Sequence, residues 1–151
     1  MKVNDNLKAL VEYSLEQADE ALEAAETLLK ANLLGSAVNR AYYAMFYSVL
    51  ALLALEKKET SKHSGAISLF DKGYVKTGVF PKQFSRWLHK AFDLRRRSDY
   101  AVTYFPSKEE TERLIKEAEA FIAQVKRVLQ ERLKESCLLY TSDAADELDG
   151  V

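Results

Sequence analysis

The stretch Ala37-Val38-Asn39-Arg40-Ala41-Tyr42-Tyr43-Ala44-Met45-Phe46-Tyr47-Ser48-Val49-Leu50-Ala51-Leu52-Leu53-Ala54-Leu55 is apolar nearly all the way round a helix. A helix without a polar face has to be covered on every side, so this segment predicts the central helix of a bundle. The preceding residues supply one cover. From Asn6 to about Lys30, Leu7, Leu10, Val11, Leu15, Ala18, Leu22, Ala25 and Leu29 recur at three- and four-residue spacing between Glu and Lys, the pattern of one amphipathic helix. Asn32 to Gly35 reads as the break between the two helices.

The residues that follow supply the remaining covers. Lys57-Lys58-Glu59-Thr60 is a polar connection, after which Thr60 or Ser61 can cap a short helix reaching about Lys72 and closed by Gly73. Lys76-Thr77-Gly78 is a turn. Pro81 suits the first position of a helix that carries Phe84, Trp87, Leu88, Ala91, Phe92 and Leu94 to about Tyr100 and is ended by Phe105-Pro106. Ser107 with Glu110 is a capping box. Leu114, Ile115, Ala118, Phe121, Ile122, Val125, Leu129 and Leu133 then form the cleanest amphipathic stripe in the chain. The expectation is an all-α fold of four long helices and one short one.

Composition agrees. The 151 residues hold 5 Gly and 2 Pro, too few turn formers for a β-rich fold, and their number suits one domain with one core. No internal period marks a repeat array. No run reaches the roughly 18 uninterrupted apolar residues of a membrane span, and Met1-Lys2-Val3-Asn4-Asp5 lacks the apolar core of a signal peptide, so the expected location is cytoplasmic, with no membrane partner.

The C-terminus reads differently from the rest. Residues Cys137 to Asp146 resemble one translated frame of a transposase-type sequencing adapter, TGT-CTC-TTA-TAC-ACA-TCT-GAC-GCT-GCC-GAC, and the next adapter bases begin the codon of Glu147. The expected organisation is a helical domain over residues 1–136 and an adapter-derived, non-native tail over 137–151. Setting the tail aside removes the single Cys, and with it any disulfide, thiol nucleophile or Cys-based zinc site. It also removes Asp143, Asp146, Glu147 and Asp149, so 22 basic against 23 acidic residues become 22 against 19. A mildly basic domain is compatible with a phosphate-bearing partner without demanding one.

Three places carry chemistry that a plain bundle does not need. Arg40, beside Asn39 in the apolar helix, is a guanidinium that must be paired if buried; it is either a structural pair with an acid such as Asp71 or Asp93, an exposed position, or a ligand contact. Arg95-Arg96-Arg97-Ser98-Asp99-Tyr100 places three adjacent guanidiniums over about 200° of helix surface. Cations in a last turn favour the helix dipole, and Arg95 with Asp99 is an ordinary i,i+4 pair, but the same run can hold phosphate. His63 and His89 form no metal spacing, so no metal or other cofactor is expected. Either histidine is structural or solvated, or has a catalytic role, for which His63 is the better candidate of the two. Tyr42, Tyr43, Phe46 and Tyr47 read as core, with a hydroxyl able to help satisfy Arg40.

The segments Asn39 to Tyr47, Lys62-His63-Ser64-Gly65 and Arg95 to Tyr100, in that order and spacing, resemble a prokaryotic branch of the HEPN domain family over roughly residues 7 to 133. The resemblance implies a four- to five-helix up-and-down bundle that commonly dimerises, with motif helices of two subunits meeting across a cleft. Many such proteins are metal-independent RNases in which an Arg, followed about four to six residues later by a His, supplies the active site. Others are the toxin half of a toxin–antitoxin pair with a small nucleotidyltransferase.

This chain departs from that pattern. Counting from Arg95, the His position holds Tyr100; counting from Arg97, it holds Val102, with Tyr104 two residues on. An unperturbed Tyr near pKa 10 is a poor base at neutral pH. Two readings follow from the resemblance. In the first, an RNA-processing or toxin-like homodimer uses Arg95, Asp99 and Tyr100 as its catalytic set, with Arg40, His63, Arg96, Arg97 and Tyr104 binding RNA or nucleotide. In the second, a non-catalytic module presents nucleotide or substrate to a nucleotidyltransferase antitoxin subunit, which can also modify Tyr100 or Tyr104. A purely structural helical dimer is a third.

Overall fold

The computed structural model describes the backbone of residues 5–58, 60 and 62–148, and side chains among these up to residue 134. The helices are α1 (Asp5–Lys30), α2 (Leu34–Leu55), α3 (His63–Phe70), α4 (Lys82–Tyr100) and α5 (Lys108–Leu148), with no strand among the described residues. The all-α expectation holds. The expected domain end near Ser136 falls where only the backbone of α5 is described, and the candidate cap Ser61 lies outside the described residues.

α2 packs against all four other helices. Val38, Ala41, Tyr42, Met45, Val49, Leu52 and Leu53 are buried along it. Small residues set how closely its neighbours approach: Ala18 and Ala21 of α1 meet Ala44 of α2 and Ile122 of α5 in one cluster. By length and composition α2 is apolar enough to cross a membrane, but 67% of its most apolar window is buried inside the bundle, as a core helix requires. At the far side Phe121 of α5 sits among Phe70, Phe80 and Phe84, with centroids 5.4, 6.5 and 5.5 Å away. These rings lock α3, α4 and α5 together.

Helix boundaries differ from expectation in four places. Lys62, not Thr60, is the N-cap of α3, and Thr60 Oγ1 instead accepts from Lys62 N–H at 3.2 Å, while Pro81 is the N-cap of α4 rather than its first residue. The break after α1 is tighter: Asn32 alone takes the left-handed conformation (φ 61°), and α2 starts at Leu34, so Gly35 lies inside its first turn. Asn is among the few residues that tolerate this region. Gly73 does not close α3. The chain passes into one wide π-helical turn, Asp71–Val75, closed by Lys76 N–H donating to Asp71 O at 2.8 Å. The wider turn seats Tyr74 wholly in the core, where its hydroxyl donates to Leu52 O at 3.2 Å. The turn that does end this segment uses Gly78, at φ 83°. At the start of α5 the capping box forms as expected: Glu110 N–H donates to Ser107 Oγ at 3.0 Å, and Ser107 N–H to Glu110 Oε2 at 3.5 Å.

Candidate functional site

The apolar run of α2 is interrupted where the helix faces the end of α4. Asn39 Nδ2 donates to Asp99 Oδ2 at 3.2 Å, while Asn39 Oδ1 accepts from Arg40 Nε and Nη2 at 3.2 and 3.1 Å. Arg40 therefore has neither Asp71 nor Asp93 as its partner: Asp71 takes His89 Nε2 at 2.7 Å and Asp93 takes Arg97 at 3.1 Å. Half-buried Arg40 also lies over the Tyr43 ring at 4.9 Å, so the tyrosine face, rather than a hydroxyl, helps satisfy it. A cleft of about 660 Å³ opens here between the start of α2 and the end of α4, lined by Ser36, Asn39, Arg40, Ser98 and Asp99.

One turn deeper lies Arg95. Its side chain is only 11% exposed, and Nη1 stands 3.5 Å from Asp99 Oδ2, within ion-pair range but too long for a strong hydrogen bond. The guanidinium is surrounded by ring faces, with Tyr42, Tyr43 and Phe92 centroids 5.2, 5.7 and 5.7 Å from Cζ. Arg95 Nε and the neighbouring Ser98 Oγ are buried without a hydrogen-bond partner among the described residues. A nearly buried cation with an unmet donor is costly.

His63, brought in by the first turn of α3, joins this cluster from the other side. Its Nδ1 is 2.7 Å from the Tyr42 hydroxyl, and its ring stacks on Phe46 at 4.2 Å, with Tyr43 edge-on at 5.5 Å. Burial, and secondarily the Arg95 charge, hold the His63 imidazole below its ordinary value of 6.5, so the neutral form is favoured. Burial pushes the Tyr42 hydroxyl well above its ordinary 10.0, against the pull of Arg95, so it stays protonated.

The other candidates are spread out. Arg96 lies over Phe92 at 5.6 Å, on the solvent side of α4. Arg97 is 58% exposed in its pair with Asp93. Tyr100 is 74% exposed and makes no hydrogen bond among the described residues. Tyr104 is tied into the α5 cap: its hydroxyl donates to Glu110 Oε2 at 2.9 Å, and burial with that bond raises its pKa to about 12. The fold thus brings Asn39, Arg40, Ser98 and Asp99 to one cleft, sets Arg95 and His63 against the shared Tyr42, Tyr43 and Phe92 rings, and leaves Arg97, Tyr100 and Tyr104 outside both groups. Sequence reasoning passed over Tyr42, Tyr43 and Ser98 as site residues because apolar neighbours made the tyrosines look like plain core. The adjacency of Asn39 to Arg40 was the signal for Asn39. No group of three or more potential metal-ligating side chains occurs among the described residues.

An all-α bundle whose second and fourth helices carry an Asn–Arg dipeptide against an Arg–Asp pair is the class of protein defined by this geometry. Residues 11–128 match the HEPN domain, and the chain belongs to the HEPN domain family. It is 37% identical over 131 residues to the candidate toxin MJ0605 of Methanocaldococcus jannaschii, spanning 87% of this chain and 97% of that one. A UPF0332 protein of Thermotoga maritima is 36% identical over 122 residues, 81% of this chain and 92% of its own. A second candidate toxin of Methanocaldococcus jannaschii, MJ0142, is 34% identical, covering 81% and 83%.

Proposed function

We propose that this HEPN protein is a toxin-like, metal-independent ribonuclease that acts in the cytoplasm as a homodimer. Arg95 holds and neutralises a backbone phosphate, Asp99 orients that guanidinium, and Arg40, Arg96 and Arg97 attract the RNA strand. The observation that carries this reading is Arg95 itself, an almost buried guanidinium only loosely paired to Asp99 at 3.5 Å, whose charge is left for a phosphate to share. No cofactor enters the reading, and Tyr100 and Tyr104 serve as rim contacts to RNA. The relatives named as candidate toxins agree with a toxin-like role.

The test is cleavage of a mixed RNA pool in EDTA by the wild type, Arg95→Ala and Tyr100→Phe. Loss of cleavage in Arg95→Ala supports the assignment, and unchanged cleavage overturns it. Sedimentation analysis tests the homodimer.

One observation favours a second reading, that of a non-catalytic partner for a nucleotidyltransferase antitoxin. Tyr100 is exposed and its hydroxyl is not hydrogen-bonded within the described chain, so it is open to covalent nucleotide transfer. Mass spectrometry of the co-expressed pair decides: a nucleotide added at Tyr100 or Tyr104 supports this reading, and an unmodified chain removes it.

A further inference from the structure

The end of the α1–α2 pair remote from the Arg40 cleft holds a groove of about 830 Å³. Leu50, which lines it, comes three helical turns after Asn39, about 16 Å further along α2. We infer that this groove binds a small amphipathic acid, a medium-chain carboxylate with a hydroxyl at the far end of its chain. The site is separate from the proposed RNA site, and its failure leaves the ribonuclease reading untouched.

The walls are alkyl: Leu7, Leu10, Leu50 and Ala54. No aromatic side chain lines the groove among the described residues, so it lacks the stacking face that a nucleobase uses, whereas leucines suit a saturated chain. The volume lies within the roughly 300–1,000 Å³ of small-ligand sites. Set among these walls is Ser14, only 8% exposed, whose hydroxyl makes no hydrogen bond among the described residues. Unlike the Ser98 oxygen, it is not sealed inside the core. A largely buried hydroxyl without a partner is costly, and this one borders space that a ligand oxygen can fill.

The charged rim sits at one end. α2 closes in a Schellman turn, with Lys57 N–H donating to Ala54 O at 3.0 Å and Lys58 N–H to Leu53 O at 2.8 Å. Lys57 takes the left-handed conformation (φ 59°) at the position of this turn that favours glycine. A lysine is therefore kept there at a conformational cost, and it lines the groove. Lys58 stands 4.0 Å from Glu56, while the Lys57 and Lys62 side chains have no ion pair among the described residues. No carboxylate lines the groove among those residues, so the rim favours an anion. The helix dipole accounts for cations just past α2 but not for the alkyl walls or for Ser14. Because only a tight turn separates them, α1 and α2 run antiparallel, so Leu7, Leu10 and Ser14 lead away from the lysines as Ala54 and Leu50 do. Leu7 to Ser14 is about 10 Å along α1. A chain of about ten carbons joins a carboxylate at the lysines to a hydroxyl at Ser14.

The experiment is calorimetric titration of the full chain with ω-hydroxydecanoate, decanoate and the uncharged α,ω-decanediol. It compares the wild type with Ser14→Ala, Lys57→Gly and the double variant Lys57→Gly with Lys62→Ala. Lys62 makes no side-chain cap to α3 and both lysines are exposed, so the lysine variants fold. The expected result is one ω-hydroxydecanoate per chain, with decanoate about fivefold weaker and the diol at least about tenfold weaker. Ser14→Ala removes the preference for the hydroxy acid and leaves decanoate affinity unchanged. The double lysine variant weakens both acids about tenfold and leaves the diol unchanged. Lys57→Gly alone raises the melting temperature while weakening the acids, a trade that a merely structural lysine does not show. Absence of saturable binding, several acids taken up per chain, equal affinity of the wild type for the two acids, or a double lysine variant that binds them as tightly as wild type overturns the inference.

Discussion

Asn39 and Asp99, 60 residues apart in sequence, are joined by a 3.2 Å hydrogen bond between the second and fourth helices. The same Asn39 side chain accepts from Arg40, so a single amide positions both a cation and a carboxylate at the mouth of the cleft. Asn39→Ala removes all three bonds and leaves Asp99 held only by Arg95 at 3.5 Å. The expected cost in stability is about 1 kcal/mol, typical of a partly exposed hydrogen-bonding group, measured by urea unfolding. If the proposed site is correct, RNA cleavage falls further than stability does, because Asp99 loses its fixed geometry. Equal cleavage by wild type and variant argues against a positioning role for Asn39.

Phe121 of α5 is wholly buried among Phe70, Phe80 and Phe84. Phe121→Ala leaves a ring-sized hole at the junction of three helices. Destabilisation of about 3–5 kcal/mol is expected in chemical denaturation, with Phe121→Leu losing much less.

Ser107 and Glu110 satisfy the free N–H groups at the start of α5, and Glu110 also accepts from Tyr104. Ser107→Ala is expected to cost about 1 kcal/mol. Glu110→Ala costs more than Ser107→Ala, since it also strands the half-buried Tyr104 hydroxyl. Thermal melts of the two variants give the order directly.

His63 links stability to pH. Its pKa is lowered in the folded state from 6.5, by burial and then by Arg95, so the unfolded chain binds more protons in the interval below 6.5. The contribution is complete above pH 6.5 and is lost as pH falls through the folded-state value. His63→Phe therefore flattens the fall of stability below pH 6.5 relative to wild type. Parallel wild-type and variant curves from pH 5 to 8 would remove His63 from this role.

We propose that residues 137–151 are the adapter-derived tail and that the stability of the domain does not depend on them, although α5 runs on through Leu148. Deleting them is expected to move the melting temperature by no more than about 2 °C, less than a 1 kcal/mol change gives in a domain of this size. A larger drop would make the tail part of the domain.

The elements themselves were legible in the sequence because helix periodicity and capping are local. The stripe from Leu114 to Leu129, the Ser107–Glu110 box and the all-round apolarity of α2 each name their own structure within a few residues. The π-helical turn was not legible. Gly73 signals a helix end on local chemistry, and only the pull of the core on Tyr74 makes the chain continue through it. The Arg95–Asp99 pair is visible as an i,i+4 spacing, whereas the surroundings of Arg95 are not.

By itself, then, the sequence determined the helices, the central place of α2 and the family, through patterns that repeat over one or two turns. Only the tertiary structure decided who partners whom. Arg40 turned to Asn39 and Tyr43 instead of an aspartate, and His63 came to rest 2.7 Å from a tyrosine hydroxyl 21 residues away and beside Arg95. The physical reason is that a side chain's partner depends on how α2, α3 and α4 pack together, and the geometry of that packing is written in no single helix.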